Sequence, residues 1–182
     1  MNRRNPDDAE VLHLLLDCVP SPIGTIMIAA DYEGNLRTAL FTDNDQFIRR
    51  QLRHHYGKTG FALEPAKNPS GLSSAISSYF AGQLDAIDTI AVQTGGTPFQ
   101  RRVWKALRDI PWGATTSYGE LAARIGYPAA VRAVGAANGA NPVVVVVPCH
   151  RVIGANGSLT GYGGGIERKR WLLNHERSPT LF

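Results

Sequence analysis

Two cysteines stand in the chain, Cys18 and Cys149, and the second has neighbours that could do chemistry. It lies in Pro148-Cys149-His150-Arg151-Val152-Ile153, directly after five consecutive valines. A free thiol has a pKa of about 8.5, so only a few per cent is thiolate at neutral pH unless a base or dipole raises that fraction. His150 could serve as the base. Side chains adjacent along an extended chain point to opposite faces, however, so coupling needs a turn or a bridging water. Taken alone, a Cys-His pair reads more simply as a buried cysteine beside a surface histidine. Two cysteines are too few for a disulfide framework or a four-thiolate zinc site, and a reducing cytoplasm is the expected location.

The elements that would position Cys149 are legible upstream. The β-branched run Val143 to Val147 reads as a buried strand ending at the cysteine, after Asn141-Pro142 closes a helical region. Thr97-Pro98-Phe99-Gln100 opens a helix with a cap residue, a proline at the first helical position and Gln at the third. Phe99, Val103, Leu107 and Ile110 form its apolar face, and Pro111-Trp112-Gly113 ends it. Ser117-Tyr118-Gly119-Glu120 is a second capping box, opening a short helix through Leu121 and Ile125 to Gly126. Tyr127-Pro128 then leads into another, from Ala129 to about Asn138. Two short helices around a tight glycine-containing turn predict a helix-turn-helix. The second is nearly bare: Ala129, Ala130, Ala133, Gly135, Ala136 and Ala137 surround one long side chain, Arg132. Such a face suits close approach to a protein core or to a narrow DNA groove.

The first half proposes no chemistry. Leu12 to Val19, Gly24 to Ala30 and Asn35 to Phe41 read as closely spaced strands of an antiparallel meander. Helical spacing follows over Asp45 to Tyr56 and Ser70 to Ala81, each stopped by glycine. Gln93-Thr94-Gly95-Gly96 is the expected boundary. The predicted organisation is a polar tail over 1–10, an α+β supporting domain over 11–94 and a mostly helical domain over 95–182. Residues 1–96 carry 8 Lys/Arg and 11 Asp/Glu, net −3, whereas residues 97–182 carry 11 and 4, net +7. A basic half beside an acidic one suggests a polyanion partner for the second. No apolar run approaches the roughly 20 residues of a membrane span, and the N-terminus lacks the apolar core of a secretory signal.

Asn141-Pro142 with Pro148-Cys149-His150-Arg151-Val152-Ile153 resembles the active-site signature of the O6-alkylguanine-DNA alkyltransferases. The resemblance extends upstream through Phe99-Gln100, Val103-Trp104, Ser117-Tyr118-Gly119-Glu120-Leu121 and Val131-Arg132-Ala133-Val134-Gly135. Downstream it takes in Gly161-Tyr162-Gly163-Gly164-Gly165 and Arg168-Lys169-Arg170-Trp171-Leu172-Leu173-Asn174-His175-Glu176. It covers essentially the whole second half, in the form of the stand-alone bacterial type.

The resemblance implies an α+β fold whose second domain carries a winged-helix-like helix-turn-helix. It implies that Cys149 accepts the alkyl group, that His150 acts through water as the base, and that Glu176 orients and polarises His150. Asn141 would brace the turn by bonding backbone. Tyr118 would donate to a ring nitrogen of the flipped base, stabilising the charge that grows on it. The carbonyls of Cys149 and Val152 would accept from the guanine amino group, and the Gly163 amide would donate to the alkylated oxygen. Arg132 would enter the vacated base stack, with Ala130, Ala133, Gly135 and Gln100 at the DNA surface, in the minor groove. The implied partner is double-stranded DNA carrying O6-alkylguanine or O4-alkylthymine, bound by a cytoplasmic monomer with no cofactor and no membrane. Val144 stands where many relatives have proline or alanine at the pocket wall. His13 and Cys18 fall where some relatives bind zinc, but the remaining ligands are missing and no metal is expected. Three rivals remain: a non-catalytic relative, which would lack the cysteine; a helix-turn-helix regulator, which would need long polar side chains on its second helix; and a cysteine hydrolase, which would turn over.

Overall fold

The computed structural model describes residues 11–42, 45–57 and 60–177; the polar tail expected over 1–10 lies outside them. β1 (Leu12–Val19), β2 (Ile26–Ala30) and β3 (Leu36–Phe41) form the expected antiparallel meander. α1 (Asp45–Tyr56) occupies the expected span. A fourth strand, β4 (Phe61–Pro65), was not foreseen; it pairs parallel to β1 and completes a mixed sheet of order β3-β2-β1-β4. Its segment Phe-Ala-Leu-Glu-Pro shows no clean alternation, and only the free edge of β1 makes it a strand. α2 (Leu72–Phe80) starts later than its helical spacing suggested, because Ser70 and Gly71 take left-handed φ of 50° and 78° and confine Pro69–Gly71 to a single 3-10 turn.

In the second half, both predicted capping boxes are present. Thr97 and Gln100 open α3 (Pro98–Arg108), and Ser117 and Glu120 open α4 (Tyr118–Arg124). Gly126, at φ 84°, supplies the turn after α4. α5 (Val131–Gly139) begins two residues after the expected Ala129, and Trp104 on α3 donates to the Ala137 carbonyl at 2.8 Å, clamping the two helices together. α6 (Ile166–Arg177) closes the described chain. Two short strands, β5 (Thr116–Ser117) and β6 (Val152–Ile153), pair in parallel and tie the start of α4 to the segment after Cys149.

The five valines correct the sequence reading. They are buried, as expected, but they form a looped turn rather than a strand. Val145 takes φ 73°, the Val147 amide donates back to the Val143 carbonyl at 3.0 Å, and only Val143 bridges another strand, at Ala39. A β-branched residue in the left-handed region costs on the order of 1–3 kcal/mol and persists only where its surroundings hold it. Asn141 holds it: its Oδ1 accepts from the Val143 amide at 3.0 Å and its Nδ2 donates to the Val147 carbonyl at 2.8 Å. β3 holds the same loop from the other side. Thr38 Oγ1 and the Ala39 amide donate to the Pro142 carbonyl at 2.8 and 2.9 Å, and the Val144 amide donates to the Ala39 carbonyl at 2.8 Å. One apolar core runs through both halves, and a smaller one fills the space between the sheet and α1.

Candidate active site

The valine loop delivers the chain into a 3-10 turn, Cys149–Arg151, instead of the rigid strand end expected. That turn answers the problem of adjacent side chains, since it rotates successive residues to different sides of one pivot. Cys149 lines a cavity of about 160 Å³. His150 points the other way, into the protein, where it is 0% exposed.

His150 Nε2 lies 2.8 Å from Glu176 Oε1, as the expected pairing requires. Three groups share this carboxylate. Arg151 donates through Nε to Oε2 at 2.9 Å and through Nη2 to Oε1 at 2.8 Å, and the Tyr79 hydroxyl donates to Oε1 at 2.7 Å. Burial alone would raise the Glu176 pKa, but His150 and Arg151 outweigh it and hold the carboxyl well below the usual carboxylate range. An ionised carboxylate only accepts, so His150 Nε2 carries the proton and Nδ1 presents its lone pair. Burial also pushes the His150 pKa down, with Arg151 and Lys169 adding to the depression while Glu176 opposes it; the ring is neutral.

Burial pushes the Cys149 thiol up to about 11; the Asn141 amide and the Lys169 ammonium pull the other way. The resting sulfur is therefore a neutral thiol. Lys169 is 0% exposed, and its Nζ donates to the Val152 and Thr160 carbonyls at 2.6 and 2.7 Å. Asn138 Nδ2 donates to the Cys149 carbonyl at 3.3 Å. Three buried polar atoms, His150 Nδ1, Asn138 Oδ1 and the Tyr162 hydroxyl, have no hydrogen-bond partner among the described residues. A cluster of unsatisfied polar atoms around a reactive group is unusual and marks a site built to receive something polar.

Of the other expected residues, Gly163 and Val144 line the cavity. The Val152 carbonyl already accepts from Lys169, and that of Cys149 from both the Asn138 side chain and the Val152 amide. Tyr118 stands at the rim rather than among the lining residues: its hydroxyl is 3.4 Å from the Thr160 carbonyl, and its ring faces Gly135 of α5. Arg132 and Ala133 are exposed on α5 and neither lines the cavity, and Ala130 precedes that helix, half-buried. Gln100 spends its side-chain oxygen on the Thr97 amide at 2.8 Å, as a helix cap.

Sequence reasoning missed several contributors. Leu40, Phe41, Phe47 and Gln51, all from the first half, line the cavity. Tyr79 reaches Glu176 from α2, where its spacing with Leu72 and Ile76 read only as core. Lys169 did leave a signal. Lys169, Leu172, Leu173 and Glu176 form the buried stripe of α6, so two charged residues sit at positions whose helical spacing demands apolar ones.

Fold and site together define an α+β protein built around one buried cysteine with a histidine–carboxylate pair behind it. The family model for the DNA binding domain of 6-O-methylguanine DNA methyltransferase matches residues 98–178. The methylated-DNA–protein-cysteine methyltransferase of Salmonella typhimurium is 51% identical over 166 residues, covering 91% of this chain and 97% of that protein. The Mycobacterium tuberculosis relative of the same name is 48% identical over 162 residues, covering 88% and 90%. The crystal structure of M. tuberculosis O6-methylguanine methyltransferase superposes with a TM-score of 0.74 at 41% identity, covering 93% of this chain and 96% of that one. M. tuberculosis OGT in complex with DNA superposes at 0.72 and 43% identity, covering 91% and 93%. The chain belongs to the methylated-DNA–protein-cysteine methyltransferase family. Its activity is the transfer of a methyl group from damaged DNA to a protein cysteine, a DNA-repair reaction.

Proposed function

We propose that the acceptor is Cys149, that O6-alkylguanine and O4-alkylthymine in duplex DNA are the substrates, and that each chain acts once. The observation that carries this reading is the placement of the Cys149 thiol on the cavity with the His150–Glu176 pair behind it. Cys149 is only 4% exposed, so an alkyl carbon inside a base-paired stack cannot reach its sulfur. The nucleotide must be extruded, at a cost of a few kcal/mol. α4 and α5 act as the helix-turn-helix. The exposed Ala133 and Ala136 let the α5 backbone approach the minor groove, and Arg132 fills the vacated stack.

In the cavity the neutral thiol gives its proton to His150 Nδ1 through a water. The imidazolium that forms is stabilised by Glu176, and Lys169 and Asn141 favour the thiolate. Sulfur attacks the alkyl carbon in line; the S–C bond forms as the C–O bond breaks, and the electron pair passes to the base. Tyr118 at the rim donates to that base as its charge grows, and the imidazolium returns the proton to the leaving guanine. The product is a thioether, which has no easy reverse path, so the protein is consumed.

Intact-mass measurement after mixing with duplex DNA containing O6-methylguanine tests the reading. One methyl group per chain, mapped to Cys149, is the expected result. Many repaired bases per chain would overturn it in favour of a turning-over cysteine enzyme.

A further inference from the structure

We propose that Tyr79, carried by α2 in the first half, is a positioning residue that aims the Glu176 carboxylate at His150 and sets the proton affinity of the pair. The inference rests on the reading of His150 as the base. Glu176 Oε1 receives three donors, from Tyr79 at 2.7 Å, His150 Nε2 at 2.8 Å and Arg151 Nη2 at 2.8 Å, while Oε2 receives Arg151 Nε. Arg151 and His150 both belong to the turn that carries Cys149, so they move with it. Among the described residues, Tyr79 alone fixes the carboxylate from a different part of the fold.

The hydroxyl has a function that packing does not explain. Tyr79 is 0% exposed, and its ring meets Phe80 and His175 edge-on at 5.2 Å. Its backbone carbonyl is 2.7 Å from His175 Nε2. Phenylalanine would fill the same space, so the hydroxyl adds only its bond to Glu176. Burial, with the Glu176 charge beside it, pushes the phenol far above its ordinary pKa, so it remains a donor at every working pH. Hydrogen bonds to a charged acceptor are among the strongest in proteins. Each one that stabilises the carboxylate weakens its pull on the proton of His150 Nε2. Besides Tyr79, Glu176 is faced by His150, Arg151 and Tyr162, and His150 by Glu176, Arg151 and Lys169. Removing the phenol hydroxyl leaves all of those charges in place. It makes Glu176 more basic and leaves the carboxylate held by His150 and Arg151.

The test is Tyr79→Phe, with single-turnover transfer from duplex O6-methylguanine DNA measured from pH 5.5 to 9. The expected rate loss near neutrality is about tenfold, equivalent to about 1.4 kcal/mol. The acid limb of the profile should move to higher pH, since the pair holds its proton more tightly. DNA affinity should stay close to wild type, while Tm falls modestly because a buried charge-assisted bond is lost. Phe80→Leu disturbs the same aromatic stack without touching Glu176, and should leave the acid limb where it was. An unchanged profile in Tyr79→Phe would overturn the proposal, as would an equal shift in Phe80→Leu, or a rate loss that tracks Tm with a fixed acid limb. His150→Ala separates the two readings. If it transfers at the wild-type rate, the base assignment itself fails. If it is crippled while Tyr79→Phe is normal, only the role of Tyr79 is lost.

Discussion

The two halves of this molecule carry the same reaction in different ways. The second half holds the proposed acceptor and its partners: Cys149, His150 and Glu176 lie within one short turn and one helix. The first half holds what keeps those atoms in place. β3 pins the Pro142 carbonyl and Val144, Tyr79 holds Glu176, and Leu40, Phe41, Phe47 and Gln51 complete the cavity wall. Chemistry can be encoded in a few adjacent residues; a strained, desolvated setting for it requires walls from elsewhere in the chain.

The comparison predicts that damage in the second half abolishes or slows transfer, whereas damage in the first half loosens it. Cys149→Ser is the extreme: it should bind alkylated duplex DNA and transfer nothing measurable, as read by gel shift and intact mass. Residual transfer would move the acceptor elsewhere, and Cys18, exposed on β1, would be the first residue to map.

His150→Ala and Glu176→Gln should each slow single-turnover transfer by about 100-fold or more, within the range of general-base catalysis. Because the two act as a unit, the double variant should be little worse than the worse single one; additive losses would dissolve the pair. The same residues make stability depend on pH. The His150 pKa is depressed in the fold, so its contribution is complete above the unfolded histidine value of about 6.5 and declines as pH falls below it. Glu176 is likewise depressed, so its contribution is complete above the unfolded carboxylate value of about 4.3 and is lost as pH falls further. Denaturant midpoints should therefore be flat from pH 8 to 7 and fall in two stages below that. Without His150 the first stage should shrink to the part that His55, also depressed by burial, contributes.

Arg132→Ala sharpens the comparison within the second half, since Arg132 is exposed on α5 and does not line the cavity. Repair of duplex DNA should slow by about tenfold, reflecting part of the few kcal/mol needed for extrusion. Reaction with free O6-benzylguanine should be nearly normal, and a lesion opposite a mismatch should be partly spared. Equal slowing on all three substrates would make Arg132 a fold or cavity residue.

The smallest effect is expected in the first half. Thr38→Val removes the hydroxyl that donates to the Pro142 carbonyl but keeps the side-chain shape. Thermal or denaturant unfolding should show a loss of about 1 kcal/mol, with the transfer rate changed by less than His150→Ala changes it. A rate collapse without destabilisation would mean that β3 takes part in the chemistry.

Much of this was readable in the residues. The capping boxes at Thr97 and Ser117 are local arrangements, complete within four residues, and both formed. The three strands of the meander and α1 follow short-range periodicity, and they appeared within two residues of their expected bounds. The grouping of Cys149, His150, Glu176 and Asn141 was expected only through the resemblance to a known family, since each residue taken alone reads as structural. The valine run shows where local reading stops. Five β-branched residues favour a strand, yet Asn141 on one side and β3 on the other bend them into a loop with Val145 left-handed. Propensity of about 1 kcal/mol across its whole scale yields to buried hydrogen bonds of that size made several times over.

By itself, then, the sequence determined the helices of the second half, whose capping signals lie close together in the chain, and the resemblance carried by its motifs singled out Cys149, His150 and Glu176 as candidates. Tertiary structure alone decided that β4 would be a strand, that the thiol would be buried and neutral, that Lys169 would face it, and that Tyr79 would reach Glu176 from 97 residues away. The physical reason is common to all four. Burial, charge pairing and edge pairing depend on which surfaces meet once the chain has folded; even where periodicity marks a residue as buried, as at Lys169, it does not name the partner that residue will touch.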